Sequence, residues 1–160
     1  MSIYDEHASD RIDAFFSPSD ASVVSKEVKD KMRDAARRFS RITGERLNDL
    51  YANLSRDEGR VDVKDLWLIS ERYVMLVEDF DKETGSESVK FFSARKRINQ
   101  VQITTEQYSF EGEESAFSEN SKIAMRCITT DNILIEREAT GPYCPKLARV
   151  VRLWVLPNLV

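Results

Sequence analysis

One histidine, two cysteines, a few scattered carboxylates and one basic triplet are the side chains here with the widest chemical reach. A Ser-His-Asp or Cys-His site needs an imidazole held in place, and His7 sits in a polar terminal stretch. Cys127 and Cys144 are too few and too far apart for a zinc site or a disulfide framework, and they read as reduced, buried thiols. Neither G-x-x-x-x-G-K-[ST] nor G-x-G-x-x-G occurs. Asp62, Asp65, Glu71, Glu136 and Glu138 fall near expected strand ends. They would have to converge in a pocket to serve a carboxylate or metal-dependent enzyme, and nothing in their spacing places them together. Arg95-Lys96-Arg97 is the candidate anion site. The expectation is therefore no enzyme, no catalytic residue, no cofactor and no metal.

The elements that would position these groups fit into 160 residues, a length suited to one domain. Lys and Arg number 24 against 28 Asp and Glu, a net charge of −4. No window approaches a membrane span. The stretch MSIYDEHASD lacks the basic and apolar regions of a signal peptide, so a cytoplasmic location is expected.

Asp10 to Phe16 could form a short helical turn capped by Ser9 and stopped before Pro18, with Phe15-Phe16 folding back onto the domain. From Ser19 to Ser55 the spacing predicts helix. Val24, Val28, Met32, Ala35, Phe39 and Ile42 make one apolar face, with Ser19 or Asp20 as N-cap. Leu47, Leu50, Tyr51 and Leu54 resume the pattern beyond Gly44, as one kinked helix or a second one. Residues 26–38 hold six basic and three acidic side chains, which reads as a solvated face.

At Ser55-Arg56-Asp57-Glu58-Gly59 the composition changes and strands follow. Val61 to Ile69 and Tyr73 to Val77 form a tight hairpin. Asp79 to Ser88 is a polar loop, Val89 to Phe92 a third strand and Asn99 to Thr105 a fourth. Tyr108 and Phe110 extend it or begin a fifth. Glu111 to Asn120 is an acidic loop, and Ile123 to Ile128 pairs with Ile133 to Glu136 through Asp131-Asn132. Gly141-Pro142 stops the sheet. An amphipathic helix then runs from about Cys144 to Leu156, and Pro157 ends it. The fold class is α+β: a strongly bent antiparallel sheet or small barrel, capped by a C-terminal helix and preceded by amphipathic helices. The boundaries are 1–56 for the helical region and 57–160 for the β domain, which should fold alone. The expected core is Trp67, Ile69, Val74, Leu76, Phe91, Ile98, Val101, Ile103, Ile123, Met125, Ile133, Ile135, Leu147, Val151 and Trp154.

The run Leu66-Trp67-Leu68-Ile69-Ser70-Glu71-Arg72-Tyr73-Val74-Met75-Leu76 is similar to the "L-x-L-T-x-x-R" hairpin, followed by an apolar run, of bacterial pleckstrin-homology-like (PH-like) and GRAM-type domains. Phe92-Ser93-Ala94-Arg95-Lys96-Arg97-Ile98-Asn99-Gln100-Val101 resembles their segment ending in "I-x-x-V" at the start of a strand. The resemblance covers 61–156 and implies a barrel closed by the terminal helix. It does not imply phosphoinositide binding, because the turn between the first two strands offers only Arg72 beside Glu71.

The function expected from these features is a non-catalytic interaction or scaffolding module. Val24, Val28, Met32, Phe39 and Ile42 would contact a protein partner or a second copy. The alternatives are an acidic inhibitor or immunity-type protein acting through Glu111–Glu119, or the small carboxylate enzyme above. Nucleic acid is not expected, and peripheral membrane contact is not favoured.

Overall fold

The computed structural model describes residues 3–78, 88–108 and 117–160, and side chains over 6–78, 89–106 and 121–160. The loop expected at Asp79–Ser88 falls outside these residues except for Ser88, as does Phe110; of the loop expected at Glu111–Asn120, residues 111–116 fall outside and 117–120 are instead the start of a strand. The chain divides into two compact units, Met1–Ala94 and Arg95–Val160.

The first unit begins with α1 (Ile3–Phe15), α2 (Pro18–Ala21) and α3 (Lys26–Thr43). Helix α1 is longer than the turn expected from Asp10. The N-cap of α3 is Ser25, whose hydroxyl accepts the Val28 N–H at 3.2 Å. Gly44 ends α3 in the left-handed conformation, φ 70°, with its N–H on the Ser40 carbonyl. The chain then enters β1 (Asp49–Asp57), which corrects the expectation of helix to Ser55. Leu47, Leu50, Tyr51 and Leu54 imitate helical spacing, yet Leu50 and Ala52 point to one side of a strand and Tyr51 and Asn53 to the other.

Strand β1 pairs antiparallel with β2 (Arg60–Ile69), β2 with β3 (Tyr73–Glu78), and β3 with β4 (Ser88–Ser93). The step at 55–59 is the turn of the β1–β2 hairpin. Asp57 pairs with Arg60, and Glu58 and Gly59 both have positive φ, 47° and 78°. That is the signature of a two-residue primed turn. Strand β1 thus runs through the expected 56/57 boundary, and the division between compact units lies at 94/95. The motif-bearing hairpin over Leu66–Leu76 is β2–β3, one strand later than the resemblance implies.

Helices α1 and α3 pack on each other, α1 also on β1 and α3 on β2. Phe15 meets Tyr51 edge-on at 5.8 Å. Ile12, Phe15, Phe16, Met32, Ala35, Ala36 and Phe39 are buried. In β2 and β3 both faces are buried: Leu66, Leu68, Met75 and Val77 on one, Trp67, Ile69, Val74 and Leu76 on the other.

The second unit is the meander β5 (Ile98–Tyr108), β6 (Phe117–Thr129) and β7 (Leu134–Thr140), followed by a 3-10 turn at Gly141–Tyr143 and α4 (Cys144–Val150). Helix α4 continues as a π turn over Val151–Val155 and a 3-10 turn over Leu156–Asn158. It packs on β6 and β7. From Ser121 on, β6 and β7 alternate strictly, with Ile123, Met125, Cys127, Ile135 and Ala139 inward beside Leu147, Val150, Val151 and Trp154. Strand β5 departs from the expected core: Ile98 is buried, Val101 half-buried and Ile103 exposed. Phe91 is exposed on β4, and Ile133 is half-buried.

The architecture is α+β with a four-stranded and a three-stranded antiparallel sheet, and the sheets do not close into a barrel.

Candidate functional site

The apolar stripe of α3 was the strongest sequence candidate for a contact surface, and its centre is core. Met32 and Phe39 are fully buried, together with Ala35 and Ala36. Val24 and Val28 are half-buried. Only Ile42 is well exposed, at 66%, and Val23 joins it at the other end of the helix region. Most of the stripe therefore covers α1 and β2 of its own unit.

The charged side of α3 is tied up in pairs. Lys29 and Arg33 reach Asp13 on α1 at 3.5 and 3.3 Å, Arg33 also reaches Asp30 at 3.0 Å, and its Nε donates to the Ser9 hydroxyl. Arg38 lies 3.8 Å from Asp34. The contacts to Asp13 and Ser9 dock α1 on α3, and the pairs with Asp30 and Asp34 lie along the solvated face of α3 itself.

The basic triplet precedes β5 directly. Lys96 donates to Asp131 at 2.7 Å, Arg97 gives its carbonyl to the Thr130 N–H, and both arginine side chains are exposed. Asp131 also accepts the Thr129 hydroxyl at 2.6 Å. These two bonds, Lys96 first, hold its carboxyl below the usual range. Lys96 thus fastens the β6–β7 turn, and of the triplet Arg95 and Arg97 remain exposed.

A matching clamp exists in the first unit. Glu45, just beyond α3, accepts the Ser70 hydroxyl at 2.6 Å, the Arg72 N–H at 3.0 Å and Arg72 Nε at 2.5 Å. The Ser70 bond, then Arg72, lowers its pKa. Arg72, which the sequence offered as the one cation of that turn, is engaged by this carboxylate and is drawn upward in pKa. A third tie, unforeseen from sequence, joins α2 to β1. Asp20 is buried and takes both guanidinium nitrogens of Arg56 at 2.6 Å. Neither Asp20 nor Arg56 carries a local motif, so only their spatial pairing reveals it.

The five candidate carboxylates do not assemble. Asp65 accepts from Asn53 at 3.4 Å, Asp62 lies at the far end of β2 from Glu71, and Glu71 is exposed in the β2–β3 turn. Glu136 and Glu138 belong to the other unit, on the exposed face of β7, where Glu136 lies 3.5 Å from Arg126. A shallow open depression of about 240 Å³ lies there, floored by Ala124 and rimmed by Gln102, Thr104, Arg126, Glu136 and Glu138. Among the described residues no three His, Cys, Asp or Glu side chains group as metal ligands.

Burial pushes the Cys127 thiol up to about 11 and raises that of Cys144, so neither is an activated nucleophile. His7 accepts from the Arg46 guanidinium through Nδ1 at 2.8 Å; burial, then Arg46 and Arg11, lowers its pKa. It serves the docking of α1. No described helix is long and apolar enough to cross a membrane. No protein-family model, no curated protein and no solved structure matches the chain.

Proposed function

We propose that the chain is a non-catalytic interaction or scaffolding module on a PH-like plan. The observation that carries the reading is the order of elements: four antiparallel strands in sequence, three more, then one amphipathic helix. The resemblance implies antiparallel strands closed by a terminal helix; here the strands form two sheets that do not close into a barrel. The motif hairpin falls one strand late, and three helices precede the first strand, so the plan is an elaborated one.

The charge chemistry supports the non-catalytic part. Glu45, Arg72 and Asp131, whose pKa values are displaced, serve turns, and both thiols are held neutral. Displaced groups gathered in a cleft would argue for catalysis; these are dispersed and spoken for.

Contact with a protein partner or second copy would use what α3 leaves accessible, Ile42 with Val28 and Val24. The test is Ile42→Asp and Val28→Asp in the full chain, with sedimentation velocity for self-association and cross-linking in native lysate for a distinct partner. Loss of assembly or of a specific cross-link, with circular dichroism unchanged, supports the reading. A protein that stays monomeric and keeps the same cross-links overturns it. A clear thermal shift with micromolar magnesium, calcium or manganese would turn attention to an ion-dependent activity instead.

A further inference from the structure

A helix that caps a sheet should turn a polar side to solvent. The terminal helix does so only in its first half. Inward go Leu147, Val150, Val151, Trp154 and Val155. Outward, Arg149 and Arg152 are exposed, and then come Leu153 and Leu156 at 52 and 46% exposure; Leu159, extended just past the helix and bridged to Ile98, is 46% exposed. Large exposed aliphatic residues elsewhere are scattered, which is ordinary. Here three leucines follow one another within seven residues, next to cations.

The charge along this stretch of chain is one-sided. Residues 139–160 carry Lys146, Arg149 and Arg152 and no carboxylate side chain, in a chain where acids outnumber bases. Cationic side chains beside an exposed aliphatic row form the pattern of helices that lie in a membrane interface. The cations face anionic head groups and the leucines reach the acyl boundary. A second copy on the same patch would bring like charges together around a two-fold axis.

We propose that the exposed side of the terminal helix, Arg149, Arg152, Leu153 and Leu156, docks on an anionic phospholipid surface. The proposal does not depend on the PH-like plan, and it uses neither the basic triplet nor the β2–β3 turn. The net charge of −4 does not oppose it, because attraction over a screening length of ~8 Å is set by the local patch.

The test is co-sedimentation of the full chain with vesicles of phosphatidylcholine alone, or of equal parts phosphatidylcholine and phosphatidylglycerol, at low and at physiological salt. Binding is expected only to the anionic vesicles and should weaken with salt. Arg152→Gln should weaken it about fivefold, the effect of removing one interfacial cation. Leu153→Ser with Leu156→Ser should abolish it while the circular dichroism spectrum stays unchanged. Should the leucine pair disturb folding, Arg152→Gln alone still decides, since it alters one exposed side chain. No binding, equal binding to neutral vesicles, or binding insensitive to Arg152→Gln overturns the proposal. So does self-association in the absence of vesicles that the leucine variant removes, which would assign the patch to a second copy.

Discussion

The two units cover a sheet in opposite ways. In the first, β2 and β3 are buried on both faces, and α1 and α3 lie against the sheet. In the second, β6 and β7 bury one face under α4 and expose the other, and β5 is mostly exposed. The consequence is visible in the residues. Strands buried on both sides read as unbroken apolar runs, Leu66-Trp67-Leu68-Ile69 and Val74-Met75-Leu76-Val77, whereas a half-buried strand turns its larger apolar residues one way, as in Ile123-Ala124-Met125-Arg126-Cys127. The first unit needs more chain to cover it, and the N-terminal helices supply part of that cover.

The sharpest way to break this contrast is truncation. A chain beginning at residue 57 loses β1, which pairs with β2 along its length, and loses the helices whose Ile12, Phe15, Phe16, Met32 and Phe39 are buried. Each such side chain contributes roughly 1.5–3 kcal/mol by leaving water, so the five together are comparable to the whole of an ordinary domain stability of ~5–15 kcal/mol. Residues 57–160 are therefore expected to show no cooperative urea transition in the first unit, against the independence that the sequence suggested. A sharp, two-state transition with native-like strand dichroism would make the helices an accessory.

Next in size come the two indoles. Trp67 and Trp154 are among the largest fully buried side chains, one in each unit. Trp67→Ala and Trp154→Ala should each cost about 3–5 kcal/mol in urea denaturation. If the units unfold separately, each substitution moves only its own transition. A loss below about 1 kcal/mol, the scale of a surface change, would remove the residue from the core.

What could be read from sequence follows the same contrast. The β6–β7 hairpin, the stop at Gly141-Pro142 and the terminal helix were legible because half-buried elements alternate and their turns carry Asp131-Asn132 and proline. The β2–β3 hairpin was legible from composition, although its facing was not, since both sides are apolar. Strand β1 was lost for a local reason: Leu47, Leu50, Tyr51 and Leu54 fit helical spacing, and Asp57-Glu58-Gly59 looks like a linker as much as a primed turn. Alternation places Phe91 and Ile103 in the core because it gives the phase of a strand but not whether anything covers it, and both are exposed. The α3 stripe was found correctly as a stripe. Whether a stripe meets the same chain or another depends on what packs beside it, and α1 was too weakly patterned to be foreseen there.

Ion pairs sharpen the contrast at smaller scale. Asp20 is buried under the fork of Arg56, whereas Arg126 and Glu136 in the second unit are both more than half exposed. Arg56→Ala leaves a buried carboxylate without its fork and should cost about 1.5–3 kcal/mol. Arg56→Lys should recover only part, because an ammonium cannot make both parallel bonds. Arg126→Ala should cost less than about 1 kcal/mol. Equal losses at the two sites would show that burial does not set the difference.

The smallest expected effect compares the two turn clamps in acid. Glu45 with Ser70 and Arg72, and Asp131 with Thr129 and Lys96, are each a carboxylate taking one hydroxyl and one cation. In both, the folded state lowers the carboxyl pKa. A lowered folded pKa means that the unfolded chain binds protons first as pH drops. The contribution is thus fully present above the unfolded carboxyl pKa of ~4 and lost as pH falls through the folded value. Glu45→Gln and Asp131→Asn should be less stable than the parent at neutral pH, and the gap should narrow as pH falls below the unfolded carboxyl range and through the lowered folded values. The Glu45 side chain is 12% exposed and that of Asp131 53%, so the gap should be larger for Glu45→Gln and less sensitive to salt. Urea midpoints measured at neutral and acid pH, with and without added salt, decide the order. A gap that persists in acid would mean that these side chains act through packing and not through their charge.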